Sequence, residues 1–302
     1  MFKHLLVPLD GSRLAETALP AAACLAQTLN ATVTLVHVIE RKAPQEVHGE
    51  RHLTDPVEAR VYLDEVRGRA ALAGLRVEQH VHTSEVSNVA RSIVEHVGEL
   101  APDLIIMCSH GRGGLRGLLF GNIAQQVIAL GTTPVLLVRP EAHRTATSFT
   151  CRLLLAPLDG IPAHEEGLCV GAALAKACGA ALHLAMVVPT AGSLVGERAA
   201  TGQFLPGATA AVLEMAQQGG EEYLGHHVAQ LKASGLSVTA EVSRGDPTTA
   251  IVNLVRRVGA DIIILGTHGK TGMDALWAGS VAPKLAGRTH VPLLLVPLRS
   301  QQ

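Results

Sequence analysis

The sequence predicts an α/β protein built from two tandem domains, each a parallel sheet with helices on both faces. Three observations predict it. Short β-branched apolar runs alternate with segments of helical periodicity along the chain, the pattern of strand–crossover–strand units. A glycine-bearing loop after Asp261–Leu265 has a near copy after Asp103–Cys108. The opening Leu5-Leu-Val-Pro8-Leu-Asp10-Gly11 returns as Leu154-Leu-Ala-Pro157-Leu-Asp159-Gly160. The repeat places one domain in residues 1–140 and a second in 151–302, each of ordinary domain size.

In order, residues 3–9 read as the first strand, ending at Pro8-Leu-Asp10-Gly-Ser12. Ser12 suits the N-cap of a helix from Arg13 to about Leu29, whose Leu14, Ala18, Leu19, Ala22 and Leu25 recur at helical spacing. Thr32–Ile39 is a β-branched second strand, and Arg41–Thr54, polar with Pro44 and Gly49, reads as a surface loop. Pro56–Leu72 is amphipathic, Gly74 ends it, and Leu75–His82 is a third strand. Residues 86–100 read as helix and 103–108 as the fourth strand. A helix from Asn122 leads to the fifth strand, Val135–Val138.

Residues 140–151 lack periodicity and read as the linker. Ala181–Val188 echoes the second strand, Tyr223-Leu224 echoes Tyr62-Leu63, and Gly235-Leu236 echoes Gly74-Leu75. Thr190–Ala210, rich in Gly and Ala, is expected to be a mobile loop. Ser280 suits the N-cap of a last helix, with Pro283 in its first turn, where a missing N–H costs little. Leu293–Val296 is the final strand.

Composition excludes several function classes. Net charge is -1, which offers no electrostatic footprint for nucleic acid or anionic lipid. Aromatics are 2%, too few for base-stacking platforms. No apolar run reaches membrane-spanning length, and the N-terminal apolar run is too short for a signal peptide. Five scattered cysteines without a metal spacing fit a reducing cytoplasm.

The chemistry concentrates in the loop Gly266-Thr-His268-Gly269-Lys270 through Gly279-Ser280. A buried strand, a glycine loop and a helix N-terminus make an anion site, because glycine lets backbone approach a phosphate and the first helical N–H groups point at it. The spacing Gly-x2-Gly-x9-Gly-Ser is neither the P-loop nor the dinucleotide fingerprint. Asp10 and Asp159 close the first strands while the glycine loops follow the fourth. In a doubly wound sheet both open onto the same carboxyl edge, where ligands bind. A strand-to-helix loop that needs glycine only for turning is the plainer reading, and the fixed spacing with a following N-cap weighs against it.

That run resembles the ATP-binding signature of the universal stress protein family, and the two halves resemble a tandem member of it. The resemblance covers nearly the whole chain. It implies two Rossmann-like domains of the adenine nucleotide alpha-hydrolase type, each with five strands in the order 3-2-1-4-5. It implies ATP, with or without Mg²⁺, at a second-half site. There Asp159 would hold the adenosine end or a metal-linked water, and Val187 would meet adenine through its backbone. Gly266, His268 and Gly269 would line ribose and phosphates, and Gly279, Ser280 and Val281 would supply phosphate donors. The first-half counterparts are Asp10, Val38, His110, Gly111, Gly121, Asn122 and Ile123. Two positions depart from the signature: Cys108 replaces glycine, and Asn122 replaces serine.

In the family, domains pair through the fifth strand, so the two halves are expected to form an intramolecular pseudo-dimer covering two apolar edges. A homodimer of the whole chain is left open. The expected function is an ATP-binding, stress-response regulator acting through a protein partner. A nucleotide-independent scaffold and a slow ATP hydrolase are the alternatives. No general base is evident, so dedicated catalysis is not expected. Cys108 beside His110 shows no third orienting group, which leaves a small residue at a glycine position. Asp10-Gly-Ser12 is not the loop of the related pyrophosphatases. His80, His82, His110, His226 and His227 could suggest metal, but no carboxylate or thiol stands at ligand spacing; they read as solvated or loop histidines, with no metal site expected.

Overall fold

The computed structural model describes residues 2–41, 43–47, 49–69, 72–109, 122–139, 149–194, 196–267 and 281–298. The first half runs β1 (His4–Pro8), α1 (Arg13–Glu16), α2 (Leu19–Leu29), β2 (Thr32–Glu40), the small hairpin β3 (Glu46–Val47) and β4 (Glu50–Arg51), α3 (Pro56–Arg67), β5 (Arg76–Val86), α4 (Val89–Leu100), β6 (Leu104–Cys108), α5 (Asn122–Leu130) and β7 (Val135–Val138). The second runs β8 (Leu153–Leu158), α6 (Glu166–Cys178), β9 (Ala181–Val188), α7 (Glu197–Phe204), α8 (Pro206–Ala233), β10 (Val238–Arg244), α9 (Pro247–Val258), β11 (Ile262–Thr267), α10 (Val281–Arg288) and β12 (Leu293–Pro297).

Ten strands form one sheet in the order β10-β9-β8-β11-β12-β7-β6-β1-β2-β5. Within each half the strands are parallel and stand 3-2-1-4-5, as the resemblance implies. The halves meet where β12 pairs antiparallel with β7, Leu293 opposite Leu137 and Leu295 opposite Val135. The expected pairing of the two fifth strands is therefore present. An edge of unpaired N–H and C=O groups on each half is consumed by the other.

The core lies in two layers, one on each sheet face. One gathers residues of α2, α3 and α6, such as Leu25, Leu63 and Leu174; the other gathers residues of α4, α5, α9 and α10, such as Ile93, Val127, Ile251 and Leu285. Each layer draws on both halves, so the seam does not interrupt the core. Arg139, just past β7, donates to the carbonyls of Ala286 (2.5 Å) and Thr289 (3.2 Å) at the end of α10. A cation from one half thus caps the negative end of a helix in the other.

Local chemistry repeats with the fold. Asp103 accepts from the backbone N–H of Lys3 and His4, and Asp261 accepts from those of Arg152 and Leu153. Each carboxylate ties the start of a first strand to the start of a fourth. Tyr62 donates to Glu16 (3.0 Å), and Tyr223 donates to Glu165 (2.6 Å).

Four sequence readings need correction. The helix expected over 13–29 is broken into α1 and α2, because Pro20 cannot sit in a helix interior and instead occupies the first turn of α2. The loop expected over 41–54 carries the β3–β4 hairpin, turned at Gly49 with φ +80°. The stretch expected as a mobile loop, 190–210, is largely helical: α7 occupies 197–204, and the 28-residue α8 begins at Pro206. Its low apolar periodicity hid it. Helix α3 stops at Arg67, short of Leu72, and β5 extends to Val86, beyond the expected His82.

Candidate functional site

Each first strand runs out at the carboxyl edge of its own half and ends in an Asp-Gly turn; because β12 and β7 are antiparallel, the two edges lie on opposite sides of the ten-stranded sheet. Gly11 has φ +92° and Gly160 φ +78°, a region that L side chains avoid, so each turn needs its glycine. The turn aims the preceding aspartate across the strand ends. In the first half, Asp10 Oδ1 accepts from the Ser12 N–H (2.9 Å) and hydroxyl (2.6 Å). The Ser12 hydroxyl oxygen accepts from Ala15 N–H at 3.2 Å and caps α1. Ser12 is fully buried, so Asp10 is held by a rigid neighbour.

In the second half, Asp159 Oδ1 accepts from Ile161 N–H at 3.0 Å, and Oδ2 lies 2.5 Å from His164 Nδ1. His164 stands in the 3-10 turn Pro162–His164, a position held by alanine in the first half. Sequence reasoning missed it, and nothing in the sequence pairs an aspartate with a histidine five residues on. Behind it, Glu165 receives Tyr223 and lies 3.3 Å from His227 Nε2. Burial first, then the bond to Glu165, pushes the Tyr223 phenol well above its ordinary range, so it stays a donor.

The first half encloses a cavity of about 150 Å³ at its own carboxyl edge, lined among others by Asp10, Val38, Met107, Cys108, Ile123 and Ala124. Asp10, Val38 and Ile123, singled out from sequence, are thus brought together. Asn122 opens α5 and is exposed. His37 lies below: its Nδ1 is 2.8 Å from the Leu9 carbonyl and its Nε2 3.0 Å from that of Leu53, which pins the 41–54 segment to the end of β1. Cys108 is buried at the end of β6, and burial pushes its thiol up to about 11. Its thiol donates to the Ser109 carbonyl at 3.3 Å.

Gly266 is the second-half counterpart of Cys108, paired with Val296 on β12. A Cβ there would lie 3.1 Å from the His164 carbonyl oxygen and 3.1 Å from Leu298. The site thus uses a glycine because chain from the Asp159 turn packs directly on it. Val187, next to the end of β9, is half-buried, and Val281 is the first residue of α10. Asp159, Val187, Gly266 and Val281 all stand at the carboxyl ends of strands or at the helix start beyond them. His110, Gly111, Gly121, His268, Gly269, Gly279 and Ser280 lie outside the described residues. The described groups offer carboxylates, backbone amides and apolar walls, a set suited to a ligand with both polar and apolar parts.

Comparison with known proteins agrees with this fold. A family model described as the Universal stress protein family matches residues 1–139 and again 151–297. The universal stress protein YxiE of Bacillus subtilis is 30% identical over 151 residues, 46% of this chain and 100% of its own length. A Thermus aquaticus relative, the universal stress protein in the QAH/OAS sulfhydrylase 3' region, is 34% identical over 142 residues, again its full length. Among solved structures, a universal stress protein from Archaeoglobus fulgidus covers 99% of this chain and 100% of its own, with a TM-score of 0.66 at 19% identity. That likeness extends the shared fold across both halves. Among the described residues, no helix is long and apolar enough to cross a membrane.

Proposed function

Because the chain belongs to the universal stress protein family, we propose that it is a nucleotide-binding regulator that holds ATP in its second half. The observation that carries this reading is convergence. The run Gly266-x2-Gly269-x9-Gly279-Ser280 begins on a strand that also carries the close contact between Gly266 and the Asp159–His164 turn. The first N–H groups of a helix have no partner within it, and where a glycine loop leads into such a helix, as this spacing does before α10, they favour phosphate. In this reading Asp159, oriented by His164, accepts from a ribose hydroxyl, and the Val187 backbone meets adenine. Gly266, His268 and Gly269 line the ribose and phosphates. Gly279, Ser280 and Val281 donate to the phosphates, with Mg²⁺ screening their charge where it is present.

The first half takes the same ligand less well. Asp10, Val38, His110, Gly111, Gly121, Asn122 and Ile123 hold the matching positions, but Cys108 fills space where the second half has only Gly266. We place the protein in the cytoplasm, a reading supported by five cysteines that are all free. Nucleotide occupancy would set the surface offered to a protein partner.

The test is direct. The full chain is purified without added nucleotide and denatured, and the released nucleotide is identified by chromatography. About one ATP or ADP per chain is expected, with Gly279→Val abolishing it and Mg-ATP raising Tm in the unsubstituted protein, since a ligand of the folded state stabilises it by mass action. No released nucleotide and no shift with Mg-ATP would favour a nucleotide-independent scaffold. Turnover lost in Gly279→Val would favour a slow hydrolase.

A further inference from the structure

Three histidines converge on the outer flank of the first half, at the edge strand of the sheet. His80 and His82 sit on β5, the outer edge strand, opposite Val36 and Val38 of β2. Residues two apart on a strand share a face, and this face meets α4. There His96, 3% exposed, points back at them. The ring centroids of His80 and His96 are 4.6 Å apart, and those of His82 and His96 4.8 Å. One ring nitrogen from each residue lies within 4.8 Å of the others.

The hydrogen bonds orient these nitrogens. His96 Nδ1 is 2.7 Å from the Ser92 carbonyl, which can only accept, so Nδ1 carries the proton and Nε2 carries the lone pair. A histidine anchored through one nitrogen to a carbonyl, with the other turned inward, is the usual posture of a metal ligand. His82 Nδ1 is 3.2 Å from that Nε2. Tetrahedral coordination at about 2.0–2.1 Å per Zn–N bond sets nitrogens roughly 3.3 Å apart, so this pair already stands at ligand separation. His80 Nε2 is buried and makes no hydrogen bond, a loss of about 1–3 kcal/mol for a polar group left without a partner. Burial, followed by the neighbouring His96, holds the His80 imidazole below the ordinary histidine range, while Glu99 pulls the other way. Glu99 adds a negative field that favours a cation.

We propose that His80, His82 and His96 form a binding site for one divalent transition-metal ion, Zn²⁺ in the first instance, with a coordination position left open to solvent. Imidazole nitrogens select zinc-like metals over the hard, oxygen-seeking Mg²⁺ and Ca²⁺. The ion would bolt the outer strand β5 to α4. The same helix face contributes Val89 and Ile93 to the first-half cavity, so the metal would brace one wall of it. The sequence placed His80 and His82 on one strand face but read them as solvated or loop histidines; in the structure both are partly buried on β5, and the third histidine is supplied by a different element.

The test uses the full chain, stripped with chelator and dialysed against buffered Zn²⁺, with bound metal measured per chain. Co²⁺ substitution reports tetrahedral geometry through its visible absorption. About one Zn²⁺ per chain is expected, with affinity of micromolar order or better and a weakening of at least tenfold in His80→Gln and in His82→Gln. Both residues are only partly buried on an edge strand, so these variants are expected to keep the fold, and circular dichroism verifies it; His96→Gln, buried, serves only as a third check. An unsubstituted chain that takes up no zinc at about 100 µM, or variants that bind as tightly as the parent, would overturn the proposal.

Discussion

Leu294 of β12 lies directly opposite Leu136 of β7 in the antiparallel pair that joins the two halves, and both side chains are buried to within 1%. They sit in the core layer that runs through both halves. A lysine at 294 would place an unpaired charge in that layer. We expect Leu294→Lys to cost more than about 4 kcal/mol and to split denaturant unfolding into two steps, while Leu294→Ala costs about 2–5 kcal/mol. Unfolding of the lysine variant as one step at the parent midpoint would show that the seam contributes little.

Gly167 of α6 packs on Gly266 of β11: a Cβ added at Gly167 would come within 3.0 Å of the Gly266 backbone nitrogen. The contact is to backbone and cannot be relieved by a rotamer change. Gly167→Ala should therefore destabilise the chain by about 1–3 kcal/mol and weaken nucleotide binding in the second half together with it. Thermal unfolding with and without Mg-ATP separates the two effects.

Ala101 ends α4 with φ +46°, and Gly259 ends the corresponding helix α9 with φ +70°. The left-handed conformation costs an alanine about 1–2 kcal/mol, partly offset by the greater freedom that glycine loses on folding. Ala101→Gly should raise stability by about 0.5–1 kcal/mol, and Gly259→Ala should lower it. A melting experiment on the pair, reading opposite signs, checks it.

The Cys108 thiol, held up at about 11 by burial, keeps its proton in the folded chain over a range where the unfolded thiol has lost it. That contribution to stability is complete below pH 9 and disappears as pH rises towards 11. Two outcomes are expected. Alkylation at pH 8 should reach exposed Cys169 at least tenfold faster than Cys108, as read by mass spectrometry of the labelled peptides. Cys108→Ala should lessen the fall in stability between pH 9 and 11 relative to the parent chain.

Much of the fold is legible in the sequence because it is written in local pattern. Leu104–Cys108 and Ile262–Leu265 are continuous apolar runs because both sheet faces are covered, and that composition marks a parallel strand wherever it lands. Asp10 and Asp159 are recognisable by repetition, and their Asp-Gly turns by chemistry. The breaks in expectation have equally local causes. Pro20 divides α1 from α2, and the mixed polar and small residues of Glu197–Phe204 offer little periodicity for a helix that packs only lightly. The candidate site is less legible. Its glycines are visible as spacing, whereas the pressure that requires Gly266, a carbonyl from the His164 turn, comes from another segment.

By itself, then, the sequence determined the two halves, the identity and order of their strands within the family pattern, and the glycine spacing that follows each fourth strand. All are set by periodicity, turn chemistry and repetition, which act over a few residues or by likeness. Tertiary structure decided which side chains meet across elements. His164 reaches Asp159, Arg139 caps α10 of the other half, and His96 turns towards His80 and His82. Those meetings depend on how a helix is rotated against a strand and on where two chain segments cross. Rotation and crossing are set by the packing of the whole core, and no stretch of sequence carries them alone.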